Sequence, residues 1–142
     1  MRKIVRFALA ASVLVAGASV AAPSAGSSKP AIVHMTGSQE VPPGSPTASG
    51  TFRFQVIPNG EEVCFSLTWK GLGTPTMAHI HKAPPGMAGP VAIVLYGTPP
   101  VGHSGCRTAK ASLIDAIQDD PAAYYVNVHT KEYPDGAIRG QL

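Results

Sequence analysis

The stretch TFRFQVIPNGEEVCFSLTWKGL, residues 51–72, alternates apolar and polar side chains on both sides of an Asn-Gly pair. The apolar positions are Phe52, Phe54 and Val56 before that pair, and Val63, Phe65, Leu67 and Trp69 after it. Asn59-Gly60 is typical of a two-residue hairpin turn, because both central residues of that turn need a positive φ. The pattern therefore predicts an antiparallel hairpin over residues 51–70, with one buried face and one more hydrated face.

Other segments typical of strands occur before and after this hairpin in the chain. Further strands are predicted at residues 31–37, 76–82, 89–97, 124–130 and 137–142. The 89–97 run is continuously apolar, which predicts burial on both faces, and TPPVGHSGC (98–106) is predicted to be a loop. A short helix is predicted over SLIDAIQDDP (112–121), with Ser112 as its cap. We therefore predict an all-β fold, a Greek-key antiparallel β-sandwich or barrel with one short helix.

The first 22 residues have the features of a secretory signal peptide. Arg2, Lys3 and Arg6 precede a short apolar core, and small residues follow at positions 19–22. Residues 23–30 (PSAGSSKP) are expected to form a flexible leader, and residues 31–142 a single domain. We expect a periplasmic or secreted protein with no membrane anchor after signal cleavage.

The net charge of +3 gives no reason to expect a nucleic-acid partner. The chain has 11 Lys and Arg against 8 Asp and Glu, and three of the basic residues lie in the signal peptide. Removing those three leaves 8 basic and 8 acidic residues, so the exported chain is close to neutral. It retains no basic cluster that would bind phosphates.

Two cysteines, Cys64 and Cys106, occur in this exported chain. An oxidising compartment favours a disulfide between them. The alternative is two free buried thiols. Two cysteines are too few for a cysteine-rich metal cluster.

The stretch AHIHKAPPG (78–86) places His79 and His81 on one face of a strand, because side chains two apart share a face. Asn127 and His129 share a face in the same way. If these strands are neighbours, three imidazoles can approach one another and bind Zn²⁺ or Cu²⁺. The alternative is structural: the histidines bond loop carbonyls or stack under the loop at 82–90.

Arg139 is a charged residue inside the apolar last strand. Two roles are open for it. It can pair with an acidic residue, or it can cover the face that carries Asn127 and His129.

Three motifs resemble the CHRD domain, which is named after chordin and also occurs alone in exported bacterial proteins. They are GSQEVPP (37–43), AHIHKAPPGMAGPV (78–91) and YYVNVHTKEYPDGAIRGQL (124–142). The resemblance spans about residues 31–142 and implies an immunoglobulin-like or Cu/Zn-superoxide-dismutase-like β fold, but no particular activity. The family pattern matches His79, His81, Asn127, His129, Gly136, Arg139 and Gly140.

A looser similarity connects the His-x-His strand to copper/zinc superoxide dismutases. The dinuclear site of that family needs six histidines and an aspartate, whereas this chain has five histidines in total. Dismutation by that mechanism is therefore not expected. The number of histidines does not exclude a site for a single metal ion.

Three functions stay open after these exclusions. The first is a non-catalytic binding or structural module, whose partner is an extracytoplasmic protein or small ligand and which needs no cofactor. The alternative is a mononuclear copper or zinc protein that uses His79, His81 and His129. The third is a hydrolase or other enzyme that uses His129, Asn127 and an acidic residue. It is the least favoured of the three, because only polar residues converge on one face and no catalytic set is recognisable.

Overall fold

The computed structural model describes residues 29–57, 61–97 and 103–142. The strands are, in chain order, β1 (Ala31–Thr36), β2 (Ser49–Ile57), β3 (Glu62–Lys70), β4 (Pro75–Lys82), β5 (Val91–Tyr96), β6 (Ser104–Thr108), β7 (Tyr124–Thr130) and β8 (Ile138–Gln141). One helix, α1 (Ala111–Asp119), and two 3-10 turns (Gly37–Gln39 and Pro121–Ala123) complete the described part of the chain. The predicted signal peptide, residues 23–28 of the leader and the Asn-Gly turn at 59–60 lie outside the described residues.

The strands form one antiparallel sheet in the order β5-β4-β7-β8-β1-β2-β3-β6. Its two edge strands, β5 and β6, contact each other, so the sheet curls into a nearly closed barrel. The all-β Greek-key fold with one short helix is confirmed. Closure matters because an open edge would leave a row of backbone groups unpaired.

The β2–β3 hairpin has the register that its alternation predicts. Phe52 lies opposite Leu67, Phe54 opposite Phe65, and Val56 opposite Val63. All six side chains are buried, and the Phe52 and Phe54 rings stack with their centroids 5.2 Å apart. This hairpin supplies one wall of the core because its apolar residues occupy alternate positions on both strands.

The prediction for residues 89–97 was wrong in part. β5 forms there, but it pairs only with β4 in the described sheet, and Val91 and Val94 are about half exposed. An edge strand can carry as many apolar residues as a central one. The predicted loop at 98–106 was also partly wrong, because Ser104–Cys106 belong to β6 and pair with β3.

The helix is present, but it begins earlier than predicted. Lys110, not Ser112, is the residue before its first turn, and no side chain in the described part of the chain caps it. Ile114 and Ile117 are buried against the barrel, as the apolar spacing predicts. A new 3-10 turn starts at Pro121, directly after the helix.

Cys64 and Cys106 form a disulfide, as predicted. They lie directly opposite each other on β3 and β6 and are 42 residues apart in the chain. The bond ties the short edge strand β6 to the hairpin. Its presence fits a protein that matures in an oxidising compartment. Among the described residues, no helix has the length and hydropathy needed to span a membrane.

Candidate metal centre

The two strands that carry the histidines are neighbours. β4 pairs with β7 so that His79 lies directly opposite Asn127, and β8 continues the row with Arg139 opposite Asn127. The intervening residues Ala78 and Ile80 point into the core and are fully buried. The sequence-based assignment of faces was therefore right for both strands.

The face that carries the histidines is buried as well. A strand with one apolar face would ordinarily leave its other, polar face exposed to solvent. His79 and His81 are each 8% exposed, and Asn127 is 2% exposed. The loop that follows β4 covers them, because its carbonyls at Pro84 and Met87 accept hydrogen bonds from Arg139. The cluster is thus enclosed between the sheet and a loop.

The three imidazoles converge. One nitrogen each from His79, His81 and His129 can be chosen so that the three atoms lie within 4.8 Å of one another. The closest pair is His79 Nδ1 and His129 Nε2, at 3.1 Å. The approach of His129 to the His-x-His pair is what the hypothesis of a metal site requires.

Two of the rings are held by backbone carbonyls. His81 Nδ1 donates to Gly89 O at 2.9 Å, and His129 Nδ1 donates to Pro134 O at 2.9 Å. A carbonyl can only accept, so the proton of each ring sits on Nδ1, and Nε2 of the neutral ring carries a lone pair. Such bonds fix the tautomer and orientation of metal-binding histidines. They also match the structural alternative, in which loop carbonyls hold the histidines.

Asn127 is part of the same cluster. Its Oδ1 lies 3.1 Å from His81 Nε2 and 3.0 Å from His129 Nε2. The amide oxygen therefore faces the point at which the ring nitrogens converge.

Burial favours the neutral form of His79 and His129. Desolvation, together with the neighbouring imidazoles of His129 and His81, lowers the pKa of His79 to about 4. Burial also lowers the pKa of His129, against the opposing effect of its bond to Pro134 O. Neutral imidazole is the form that binds a metal ion.

The CHRD domain model matches residues 32–142, which cover essentially all of the described chain. The chain belongs to the CHRD domain family. Searches of curated proteins and of solved structures return no significant match to this CHRD domain. Family membership does not by itself assign an activity to this chain.

Sequence reasoning missed one buried group of this CHRD domain, Glu40. Its carboxyl is 5% exposed, and Oε1 has no hydrogen-bond partner among the residues the structure describes. Burial raises its pKa to about 7, against the charge of Arg139 and hydrogen bonds from the Asn127 side chain and the Val41 N–H. A Glu in a polar loop is ordinarily exposed, so its residue type gave no reason to expect burial. The only signal in the sequence was its position in the GSQEVPP motif.

Arg139 covers the polar face of the CHRD domain. It donates to the carbonyls of Pro84 and Met87 and to Gln141 Oε1. Its guanidinium also lies over the Tyr125 ring, which stacks on His81 at 4.7 Å between centroids. Glu40 contributes an electrostatic attraction to it, whereas the hydrogen bonds go to neutral oxygens.

A second group of potential ligands does not form a metal site. Glu62 lies near Cys64 and Cys106, but both sulfur atoms are used by the disulfide. Among the described residues, the histidine cluster is the arrangement that suits a metal ion.

Proposed function

We propose that this CHRD domain is an exported, non-catalytic module that binds one zinc or copper ion through His79, His81 and His129. Zinc and copper are the ions that imidazole ligands suit, whereas calcium and magnesium prefer oxygen ligands. Export agrees with the predicted signal peptide and with the disulfide between Cys64 and Cys106.

One observation carries the proposal. His81 and His129 both donate their Nδ1 protons to backbone carbonyls, so the Nε2 atom of each neutral ring carries a lone pair. Both Nε2 atoms face the same buried point, the Asn127 Oδ1, at 3.1 and 3.0 Å. A cluster built only for packing has no reason to aim lone pairs at one another, because they repel. A metal ion at that point accepts all of them.

The absence of catalysis is supported by burial. The three imidazoles are 7–8% exposed and lie under the loop after β4, so a substrate has little access to a bound ion. Catalytic metal sites keep a ligand position open to water or substrate.

The experiment is native mass spectrometry and calorimetry on the mature, oxidised protein with Zn²⁺ or Cu²⁺ alone. We expect one ion per chain, and loss of that ion in the double variant His79→Ala/His81→Ala. The matched control is His34→Ala/His103→Ala, which removes two imidazoles outside the cluster and should bind as the wild type does. A wild type that takes up neither ion at micromolar concentration would refute the proposal.

A second function is favoured by an exposed apolar strip beside the cluster. Met77, Val91 and Val94 are 40–53% exposed, and Val91 and Val94 lie opposite His81 and His79 in the β4–β5 register. Such a strip on an edge strand suits an extracytoplasmic protein partner. Binding through the strip would persist in a chelator and would be lost in Val91→Ser/Val94→Ser, which leaves the imidazoles in place.

A further inference from the structure

The cluster around Asn127 has fewer protons available for hydrogen bonds than it has close contacts between polar atoms. Four atoms converge: Nδ1 of His79, Nε2 of His81, Nε2 of His129 and Oδ1 of Asn127. Three contacts of 3.0–3.1 Å connect them. Each contact needs one proton if it is a hydrogen bond.

Two of the three rings cannot supply that proton while they are neutral. The protons of His81 and His129 are already donated to Gly89 O and Pro134 O. Only His79 Nδ1 can donate within the cluster, and its partner there is His129 Nε2. Both contacts to Asn127 Oδ1 therefore join two atoms that carry only lone pairs.

The Asn127 side chain is oriented with its Oδ1 toward the imidazoles of His81 and His129. Its amide N–H points the other way and donates a hydrogen bond to Glu40.

We infer that Asn127 Oδ1 is the fourth ligand of the metal ion and that Glu40 is the positioning residue that aims it. This inference rests on the proposed function. A cation at the centre would accept the lone pairs of His81 Nε2, His129 Nε2 and Asn127 Oδ1. It would also accept that of His79 Nδ1 once the proton of this ring lies on Nε2. Ligands 2.0–2.1 Å from a tetrahedral zinc ion lie about 3.3 Å apart, which is close to the three contacts of 3.0–3.1 Å.

Glu40 has the properties of an outer partner to such a site. It is nine-tenths buried, its Oε1 is unpaired among the described residues, and it accepts a hydrogen bond from Asn127. Residues that orient metal ligands in this way change affinity by about 10- to 100-fold when they are replaced.

Four protein ligands would close the site. Structural metal sites are closed in this way, whereas catalytic sites keep a position for water. Asn127 would thus be the residue that makes the ion inaccessible to substrates and solvent.

The test measures whether water reaches the metal. Cu²⁺ is loaded on the mature protein, and the proton relaxation rate of the solvent reports any exchangeable water in the inner coordination shell. We expect no inner-shell water in the wild type and one in Asn127→Ala, with affinity lower by about 10- to 100-fold. Glu40→Gln should lower affinity about 10-fold, while Glu62→Gln, the same change on a partly exposed carboxyl of β3, should leave it unchanged.

The outcomes separate this inference from the proposed function. Wild-type protein that binds one ion but shows inner-shell water would overturn the role of Asn127 and leave the three-histidine site standing. That measurement uses the wild-type protein alone, so it tests the inference even if the variants fail to fold. Equal affinity of Glu40→Gln and wild type would overturn the role of Glu40. Failure of the wild type to bind any ion would refute the proposed function itself.

Discussion

The guanidinium carbon of Arg139 lies 3.4 Å from the centroid of the Tyr125 ring. The same ring stacks on His81, with an angle of 5° between the planes. Arg139 also donates to two carbonyls of the loop that carries Gly89, the partner of His81 Nδ1. One buried cation therefore holds both the ring under His81 and the loop over it.

Replacing Arg139 with Lys should destabilise the fold. A lysine ammonium cannot reproduce the planar fork that reaches Pro84 O and Met87 O while it stacks on Tyr125. Each carbonyl left unpaired costs about 1–3 kcal/mol, so we expect a loss of about 3 kcal/mol in the free energy of unfolding, measured in urea. Arg53→Lys, on the exposed face of β2, is the control and should change stability by less than about 0.5 kcal/mol. Equal effects of the two variants would contradict the assigned role.

Gly136→Ala should disturb Glu40. Gly136 has φ of 139°, and a Cβ there would collide with the Glu40 carboxyl. We expect a loss of about 1–3 kcal/mol in stability, because both the backbone strain and the displaced carboxyl cost free energy. Gly73→Ala is the control, since a Cβ at Gly73 meets no atom of the described residues within 4 Å. A Gly136→Ala protein as stable as the Gly73→Ala protein would show that the carboxyl is not held in place.

Tyr96 should make the protein sensitive to alkali. Burial raises the pKa of its hydroxyl from 10.0 to about 12, and that hydroxyl has no partner among the described residues. Between these two pH values the folded state binds more protons than the unfolded state, so stability falls as pH rises. The loss should approach roughly 2–3 kcal/mol at pH 12.

Tyr96→Phe should remove most of this alkaline loss and should not destabilise the protein at pH 7, because it deletes an unpaired buried group. Tyr133→Phe, in the partly buried turn after β7, is the matched control. Denaturant titrations at pH 8, 10 and 11.5 provide the measurement. If the slope of stability against pH is the same in wild type and Tyr96→Phe, the hydroxyl is not the group responsible.

Removal of the disulfide should destabilise the barrel. The bond closes a loop of 42 residues, for which chain entropy predicts a stabilisation of about 4 kcal/mol as an upper figure. The Cys64→Ser/Cys106→Ser variant should therefore unfold at a lower urea concentration than the oxidised wild type. Adding a reductant should destabilise the wild type and leave the variant unchanged. A reductant effect of the same size on both would point to another cause.

Metal loading should stabilise the fold, because an ion that binds only the folded state shifts the unfolding equilibrium. At a free ion concentration 100 times the dissociation constant, the stabilisation is about 2.7 kcal/mol. We expect Zn²⁺ to raise the melting temperature of the wild type and a chelator to reverse the rise. His79→Ala/His81→Ala should show no shift, whereas His34→Ala/His103→Ala should shift as the wild type does. An identical shift in both variants would place the ion elsewhere.

Prediction from sequence succeeded where the signal was local. The alternation of Phe52, Phe54 and Val56 defined a strand and its buried face, and the apolar spacing of Ile114 and Ile117 defined a helix. It failed for β5, whose apolar run was taken for a strand with two buried faces. Whether a strand lies at an edge depends on which strands flank it, and that information is spread over the whole chain.

The sequence by itself determined most of the strands, the face on which His79, His81 and His129 lie, and the pairing of the two cysteines. Period-2 alternation sets the faces, and two cysteines in an oxidising compartment leave a single intramolecular pairing. Only the tertiary structure decided that β7 lies beside β4, that a loop buries the polar face, and that Glu40 reaches Asn127. These contacts join residues far apart in the chain, so they arise only when the sheet order and the covering loop bring the residues together.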